Sequence, residues 1–249
     1  MVNFVEKFIQ GFCKESGQSY FLSNLKAKDA AFELIDKLEK SQSLLFTNEE
    51  NDTFSLDYLW GNARGQMFGV MLAENLQGER SVHYAFSSQY NGQWLCEGWV
   101  PPIFDVKKFD SLVKDADPKI KALTKLINES LCSEERIGLK QLRKAMSQQH
   151  MKNIHALYQA HTLDGKVLTL NELSNLSTAP PNGMGDCCAP KLINFAAKNK
   201  LEPISIAEFY WGQENASGSK KHLHFYGSCE EKCGPILGRM LYGGKYVSE

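Results

Sequence analysis

No apolar run in the sequence approaches the roughly 18 residues that a membrane-crossing helix needs, so nothing in it reads as a membrane span. An excess of one charge sign is also missing. Lys and Arg number 28 against 29 Asp and Glu, a formal net charge of −1. That balance excludes a polycationic nucleic-acid coat and leaves only a local basic face open. The opening residues, MVNFVEKFIQGFCKESG, carry acids and an early glycine and lack a charged-then-apolar leader; the expectation is a cytoplasmic protein not exported by that route. Internal repeats and low-complexity tracts are likewise lacking. Cysteine is not scarce, but its seven copies are an odd number, spread over 249 residues. A disulfide framework is therefore not expected, and reduced thiols with a metal-binding or catalytic use are.

What is present is the composition of an ordinary globular chain, 43% hydrophobic and 23% charged, long enough for a core that needs no staples. The pattern predicts an α/β (α+β) fold, with a mixed, largely antiparallel sheet packed by helices. Residues 1–50 read as an N-terminal helical segment, because Phe4, Phe8 and Phe12 recur every four residues, as do Ala30, Leu34 and Leu38. A polar break follows at Asn48–Asp52. Residues 54–249 read as the main α/β domain, with a helical insertion at about 107–160. Within it, Met67–Ala73 and Val82–Phe86 are β-rich runs joined by a hairpin connection, and Tyr90–Trp99 reads as a further strand. The aromatics of this zone are expected in the sheet core. In the insertion, Ser133 is placed to cap a helix whose Leu139, Leu142, Met146, Ile154 and Leu157 share one face. Arg136, Lys140, Arg143, Lys144 and Lys152 lie off that stripe as a modest basic face.

The chemistry concentrates in the last 85 residues. Asp186 stands where a helix N-cap belongs, so Cys187 and Cys188 fall in the first turn of a helix running to about Lys200. Pro190 fits that placement, because first-turn positions have no intrahelical N–H bond to lose. A thiol there faces the positive end of the helix dipole, which favours thiolate, the form that attacks carbonyls and binds metals. Cys229 and Cys233 form a second cluster, and Pro235 places a new helix start immediately after it. Paired cysteines in a turn before a helix are a common setting for zinc thiolates. Cys187 is far enough upstream to return as a third ligand, with Cys188, His224 or water as a fourth.

Two further residues belong to the candidate site. In a strand from Pro203 to Trp211, alternation puts Ile204, Ile206 and Glu208 on one face, and a carboxylate on an apolar face calls for a partner or a cation. A strand from His222 to Tyr226 would aim His222, His224 and Tyr226 to one side, so that His224 could point toward the thiols.

Several segments together resemble one family: Met67–Val70 (MFGV), Tyr84–Ser87 (YAFS), Glu97–Asp105 (EGWVPPIFD), Gly185–Leu192 (GDCCAPKL), Ala207–Gly212 (AEFYWG) and the stretch from His224 through Cys229 to Leu237 (KCGPIL at its end). The resemblance is to the long region that precedes the catalytic domain in a subset of bacterial RluA-type RNA pseudouridine synthases, and it covers roughly residues 56 to 242. The Arg-Leu-Asp tripeptide that carries the catalytic Asp of those enzymes is absent from the sequence. The chain thus looks like that accessory region standing alone. The resemblance implies an RNA- or nucleotide-modification context, with RNA, a nucleotide or a protein as partner, and does not carry over the uridine isomerisation.

Three functions remain open at this level. The first is a zinc enzyme whose C-terminal half is ordered like a cytidine deaminase: one ligand at a helix start, two from a close cysteine pair before a second helix, and one position for water. The proton-shuttling Glu two residues after the first ligand is missing, with Ala189 at that offset from Cys187 and Pro190 at that offset from Cys188. Glu208 or Asp186 would have to substitute. The second is a transglutaminase- or papain-like hydrolase or deamidase, with Cys187 as nucleophile, His224 as base and Glu208 orienting it. The third is a non-catalytic, zinc-stabilised module that binds RNA or protein through a closed four-ligand site.

Overall fold

The structure, a computed structural model, describes residues 4–46 and 52–246. The polar break expected at Asn48–Asp52 therefore lies, apart from Asp52, outside the described residues. The chain forms two compact units, Met1–Ile103 with Ala160–Glu249, and Phe104–Gln159.

The larger unit begins with a hairpin, not a helix. Strand β1 (Phe8–Cys13) pairs antiparallel with β2 (Gln18–Ser23), from Phe8↔Ser23 to Cys13↔Gln18. A spacing of four suits a strand face as well as a helical one, because four is a multiple of the strand's period of two. Phe8 and Phe12 accordingly share the exposed face of β1, and Ile9 and Cys13 are buried on the other. Gly17, at φ +68°, closes the turn by donating its N–H to the Cys13 carbonyl at 2.9 Å. Helix α1 (Lys28–Ser41) is where the period predicts one, and it buries Ala31, Leu34, Ile35 and Leu38.

Strand β3 (Gln66–Glu74) and strand β4 (Arg80–Phe86) form the expected hairpin. The third strand expected at Tyr90–Trp99 does not form. That segment contributes only isolated bridges, Tyr90↔Gln93 and a parallel Tyr84↔Trp99. Asn91, Gly92 and Gly98, all at positive φ, keep breaking the extended conformation that a strand requires. Its aromatics reach the core nonetheless: Trp99 donates its indole N–H to the Leu44 carbonyl at 2.8 Å, and Tyr90 its hydroxyl to Ser55 at 2.7 Å.

Further along, strand β5 (Gln159–His161) pairs with β6 (Val167–Thr169), and the short helix α4 (Leu170–Leu173) follows. Helix α5 (Cys188–Lys198), strand β7 (Glu202–Trp211), strand β8 (Phe225–Tyr226) and helix α6 (Gly234–Leu241) complete the unit. Strands β3 and β7 lie at the centre of a four-stranded antiparallel sheet of order β4-β3-β7-β8. One face carries Phe68, Val70, Ala207, Phe209 and Trp211 against α1, in a cluster with Phe86, Tyr90, Trp99 and Phe225. Each large apolar side chain buried there contributes about 1.5–3 kcal/mol. The opposite face receives α5. At Gly69 of β3 an added Cβ would stand 2.5 Å from the Cys188 Cβ, so only glycine lets the helix settle this close to the sheet.

In the smaller unit, helices α2 (Val106–Glu129) and α3 (Ser133–Leu157) pair as a hairpin. The Asp105 carboxylate caps α2 by accepting from the Lys108 N–H at 3.1 Å. Ser133 does not cap α3: Cys132 holds the N-cap position and no side chain bonds there. Leu139, Met146, Ile154 and Leu157 turn inward, whereas Leu142 is 54% exposed. The basic residues Arg136, Lys140, Arg143, Lys144 and Lys152 are all exposed. No helix among the described residues is long and apolar enough to cross a membrane.

Candidate metal centre

Two helix starts hold the cysteines. At the first, Cys187 itself is the N-cap of α5, extended at φ −70° and ψ 165°, so the helix begins one residue later than an Asp186 cap would place it. The first turn is anchored from below by Lys191, which is 1% exposed. Its ammonium donates to the carbonyls of Phe86 at 2.9 Å and Ser88 at 3.0 Å, and lies over the rings of Phe86 and Trp94. Burial pulls its pKa down to about 8, with Cys188 and Asp186 acting in the other direction. This buried lysine is a positioning element that the sequence pattern did not single out.

At the second start, Pro235 sits in the first turn of α6 and Cys233 is the N-cap, in the arrangement expected from the Cys229/Cys233 spacing. The Cys233 N–H donates to Cys229 Sγ at 3.3 Å, and Gly234 N–H to the Cys229 carbonyl at 2.8 Å. Ser228 ties the same turn to β1 by accepting from Gln10 N–H at 3.1 Å. Strand pairing then brings the two starts together. The chain leaves α5, runs along β7, reverses, and returns in β8 with Tyr226 opposite Glu208. Cys229 follows three residues later.

The result is a group of three sulfurs, from Cys187, Cys229 and Cys233, all within 4.8 Å of one another. Tetrahedral zinc with Zn–S bonds of about 2.3 Å needs its sulfurs about 3.8 Å apart, a spacing that falls inside this limit, so the donor set suits a small thiophilic ion. Three cysteines so placed could hold a metal ion. Cys188 does not join them: its thiol is fully buried and points to the Met67 carbonyl, 3.3 Å away. Nor does His224. The strand expected at His222–Tyr226 shrinks to Phe225–Tyr226, because Leu223 takes a left-handed conformation at φ +58° and breaks the alternation. His224 ends up exposed, and His222 accepts from the Gly212 N–H at 3.1 Å beside Trp60 and Trp211.

Glu208 does reach the cluster. It lies opposite Gly69, on the α5 face of the sheet, and is 5% exposed. Its Oε1 accepts the Ala189 N–H at 2.7 Å, within the first turn of α5. Together with Cys187, Cys188, Cys229, Cys233, Met67, Ser87 and Ser228, it lines a cavity of about 50 Å³. That is room for an ion and one or two waters, at about 30 Å³ per water, and not for a substrate. Among the described residues, no histidine lines this cavity. Met67 and Ser87, which form its wall, stand in the sequence only inside the MFGV and YAFS segments of the resemblance, with nothing that marks them as site residues. At Gly69 a local signal is available, since a glycine inside a strand marks the close approach of another element.

The electrostatics follow from burial and shared protons. Cys187 and Cys233 donate to Cys229, which lowers the Cys229 thiol to about 2 and raises the other two above their ordinary value. Hydrogen bonding within the cluster thus favours thiolate at Cys229 and opposes it at Cys187, against the pull of the helix start. Burial pushes Glu208 up to about 7 against the pull of the Ala189 N–H, with the Cys229 charge adding to the rise and Lys220 opposing it. Lys220, whose ammonium lies 3.6 Å from the Tyr226 ring centroid, is a cation close enough to act on Glu208, Cys229 and Cys187. Comparison of the chain with protein-family models, curated proteins and solved structures finds no match.

Proposed function

We propose that the chain is a zinc-dependent hydrolase of deaminase type, its metal held by Cys187, Cys229 and Cys233 and its proton transfers carried by Glu208. One observation carries this reading: a buried carboxylate shares a small cavity with three convergent thiols, and among the described residues no fourth ligand joins their group. Catalytic zinc sites keep three protein ligands and an open position, whereas structural sites are closed by four.

Zinc there would supply Lewis-acid activation of water at neutral pH. The remaining work falls to the chain's own groups. In a deaminase helix the proton-shuttling Glu follows the first ligand by two residues, and here that offset is Ala189. The Glu208 carboxylate arrives at the same place from the sheet, bonded to the Ala189 N–H. A carboxyl poised at about 7 can take the proton that water gives up and return it to a leaving amine, so that water adds and ammonia leaves. The thiol-hydrolase alternative lacks its base, because His224 is outside the cavity. Resemblance to the accessory region of RNA pseudouridine synthases supports an RNA- or nucleotide-modification setting.

Metal analysis and X-ray absorption on the purified chain test the proposal. The expected result is one zinc per chain with three sulfurs and one oxygen, retained in Glu208→Gln while ammonia release from amino-substituted bases is lost. Absence of metal overturns it. A four-sulfur shell, with Cys188 swung inward, would instead make the site a structural staple and the chain a non-catalytic module.

A further inference from the structure

We infer that a polar cleft adjoining the three-sulfur centre is its substrate subsite, and that it takes a small anionic molecule with a planar, hydrogen-bonding ring, of nucleotide chemistry. This rests on the hydrolytic reading above and adds where and what the site binds. The cleft has a volume of about 290 Å³ and is lined by Tyr58, Arg64, Gln66, Ser87, Gln89 and Tyr210, among others. The small cavity of the centre cannot hold a substrate, so a ligand has to lie outside it with one atom reaching in. The cleft is placed for that, because Met67 and Ser87 belong to both walls.

The strand geometry makes the connection direct. Glu208 and Tyr210 are two residues apart in β7 and face the same side, with Gly69 and Met67 opposite them in β3. Positions two apart on a strand are separated by about 6.6 Å, the width of a six-membered ring with its substituent. Between the two sites stands the half-buried Met67, an unbranched side chain that adapts its shape to what passes it.

The chemistry of the lining selects the ligand. Two tyrosines give ring contacts. Among the described residues, the hydroxyls of Ser87 and Ser88 and the side-chain amide of Gln89 have no hydrogen-bond partner, which leaves donors and acceptors for a polar ring. Gln66 is spent: its amide bonds the carbonyls of Ser87 and Gln89 and holds that wall in place. Among the described residues, Arg64 is the only charged one lining the cleft, and no carboxylate lines it alongside. Its Nη1 donates to the Glu214 carbonyl at 2.9 Å, which fixes the guanidinium and leaves the other N–H groups for an anion. The volume lies at the lower end of the range of roughly 300–1,000 Å³ for ligand sites, which suits one ring and one anionic group. A larger groove of about 440 Å³ beside β1, β2 and the start of α6 is the rival. It shares only Ser228 with the cavity, and its charged residue is Glu230, of the wrong sign for an anion.

Isothermal titration of the full chain, with and without zinc, against CMP, AMP and their uncharged nucleosides tests this. The monophosphates are expected to bind. Arg64→Ala should weaken them about tenfold or more while changing nucleoside binding by less than about twofold, the loss of one charge-assisted contact. Gln89→Ala should weaken both, and Glu230→Gln neither, with zinc content and circular dichroism unchanged in all three. No monophosphate binding, or binding that responds to Glu230→Gln and not to Arg64→Ala, overturns the assignment. A chain that takes up no zinc yet binds monophosphates in an Arg64-dependent way keeps the subsite and removes the hydrolytic reading.

Discussion

At the scale of single residues, neighbours in sequence have been given opposite tasks. Cys187 and Cys188 adjoin, but one is an N-cap whose sulfur joins Cys229 and Cys233, and the other packs its Cβ against Gly69 and its thiol against the Met67 carbonyl. Serine replacements separate the two roles. On the zinc reading proposed above, Cys233→Ser or Cys187→Ser removes one of the three candidate ligands and should weaken zinc binding more than about 100-fold, since changes behind the ligands alone cost 10–100-fold. Cys188→Ser should leave affinity within a few-fold and instead lower stability by about 1–2 kcal/mol, the cost of a hydroxyl in a site shaped for a thiol. Competition against a chromophoric chelator reads the first effect and urea denaturation the second. Equal loss of affinity in Cys188→Ser would place its sulfur on the metal.

At the scale of elements, the site depends on how closely α6 crosses β1. A Cβ on Gly238 would lie 2.3 Å from the Phe12 carbonyl carbon and 2.4 Å from its oxygen, both backbone atoms that cannot step aside. Gly238→Ala should therefore cost about 2–3 kcal/mol, as overpacking does, and weaken zinc binding too, because α6 carries Cys233 at its start. Gly138 in α3 meets nothing within 4 Å, so Gly138→Ala should stabilise by about 0.5–1 kcal/mol. A second tie on α6 is pH-dependent. Arg239, whose side chain is 6% exposed, pairs with Asp164 through Nη2 at 3.0 Å and Nη1 at 3.2 Å, and with Glu15 through Nε at 2.8 Å. Burial opposes ionisation of Asp164, but the hydrogen bonds from Arg239 and Thr162 outweigh it and hold its pKa below 3.8. A depressed folded value means that this stabilisation is present above pH 3.8 and is lost as pH falls through the folded value. Asp164→Asn should cost about 2 kcal/mol at pH 7, the loss of hydrogen bonds to a charged group, and the gap to the parent should close as the pH falls below 3.8 in urea titrations. A gap constant with pH would show that the pair does not carry the difference.

The same elements show what a sequence can disclose. The start of α6 was legible because Pro235 constrains its own backbone, and α5 because Pro190 and its apolar run are local signals. Glu208 was legible as a carboxylate out of place on an apolar strand face. The β1–β2 hairpin was not, since Phe4, Phe8 and Phe12 satisfy two periods at once and only Gly17 marks the turn. His224 was misplaced because a single left-handed residue, Leu223, ends the alternation, and nothing in a leucine announces it. The missing strand at Tyr90–Trp99 has the same origin: core packing by Tyr90 and Trp99 needs no regular spacing when each ring bonds its own carbonyl.

For the whole molecule, the decisive fact is that all three sulfurs belong to one compact unit. Cys187, Cys229 and Cys233 lie in the unit made of Met1–Ile103 and Ala160–Glu249, whereas Phe104–Gln159 holds none of them. A metal that binds only the folded cluster stabilises by RT ln(1 + [L]/Kd), about 4 kcal/mol at a thousandfold excess over Kd, and that energy belongs to the unit that contains the ligands. Chelation should accordingly lower the melting temperature of that unit and raise amide exchange in the first turns of α5 and α6 and along β7 and β8. Helices α2 and α3 should exchange at unchanged rates, because their hydrogen bonds and their apolar stripe owe nothing to the thiols. Hydrogen-exchange mass spectrometry with and without chelator reads both units in one experiment. Deprotection spreading through Phe104–Gln159 would mean that the chain opens as one cooperative body, and the three thiols would then secure more than the sheet and helices that carry them.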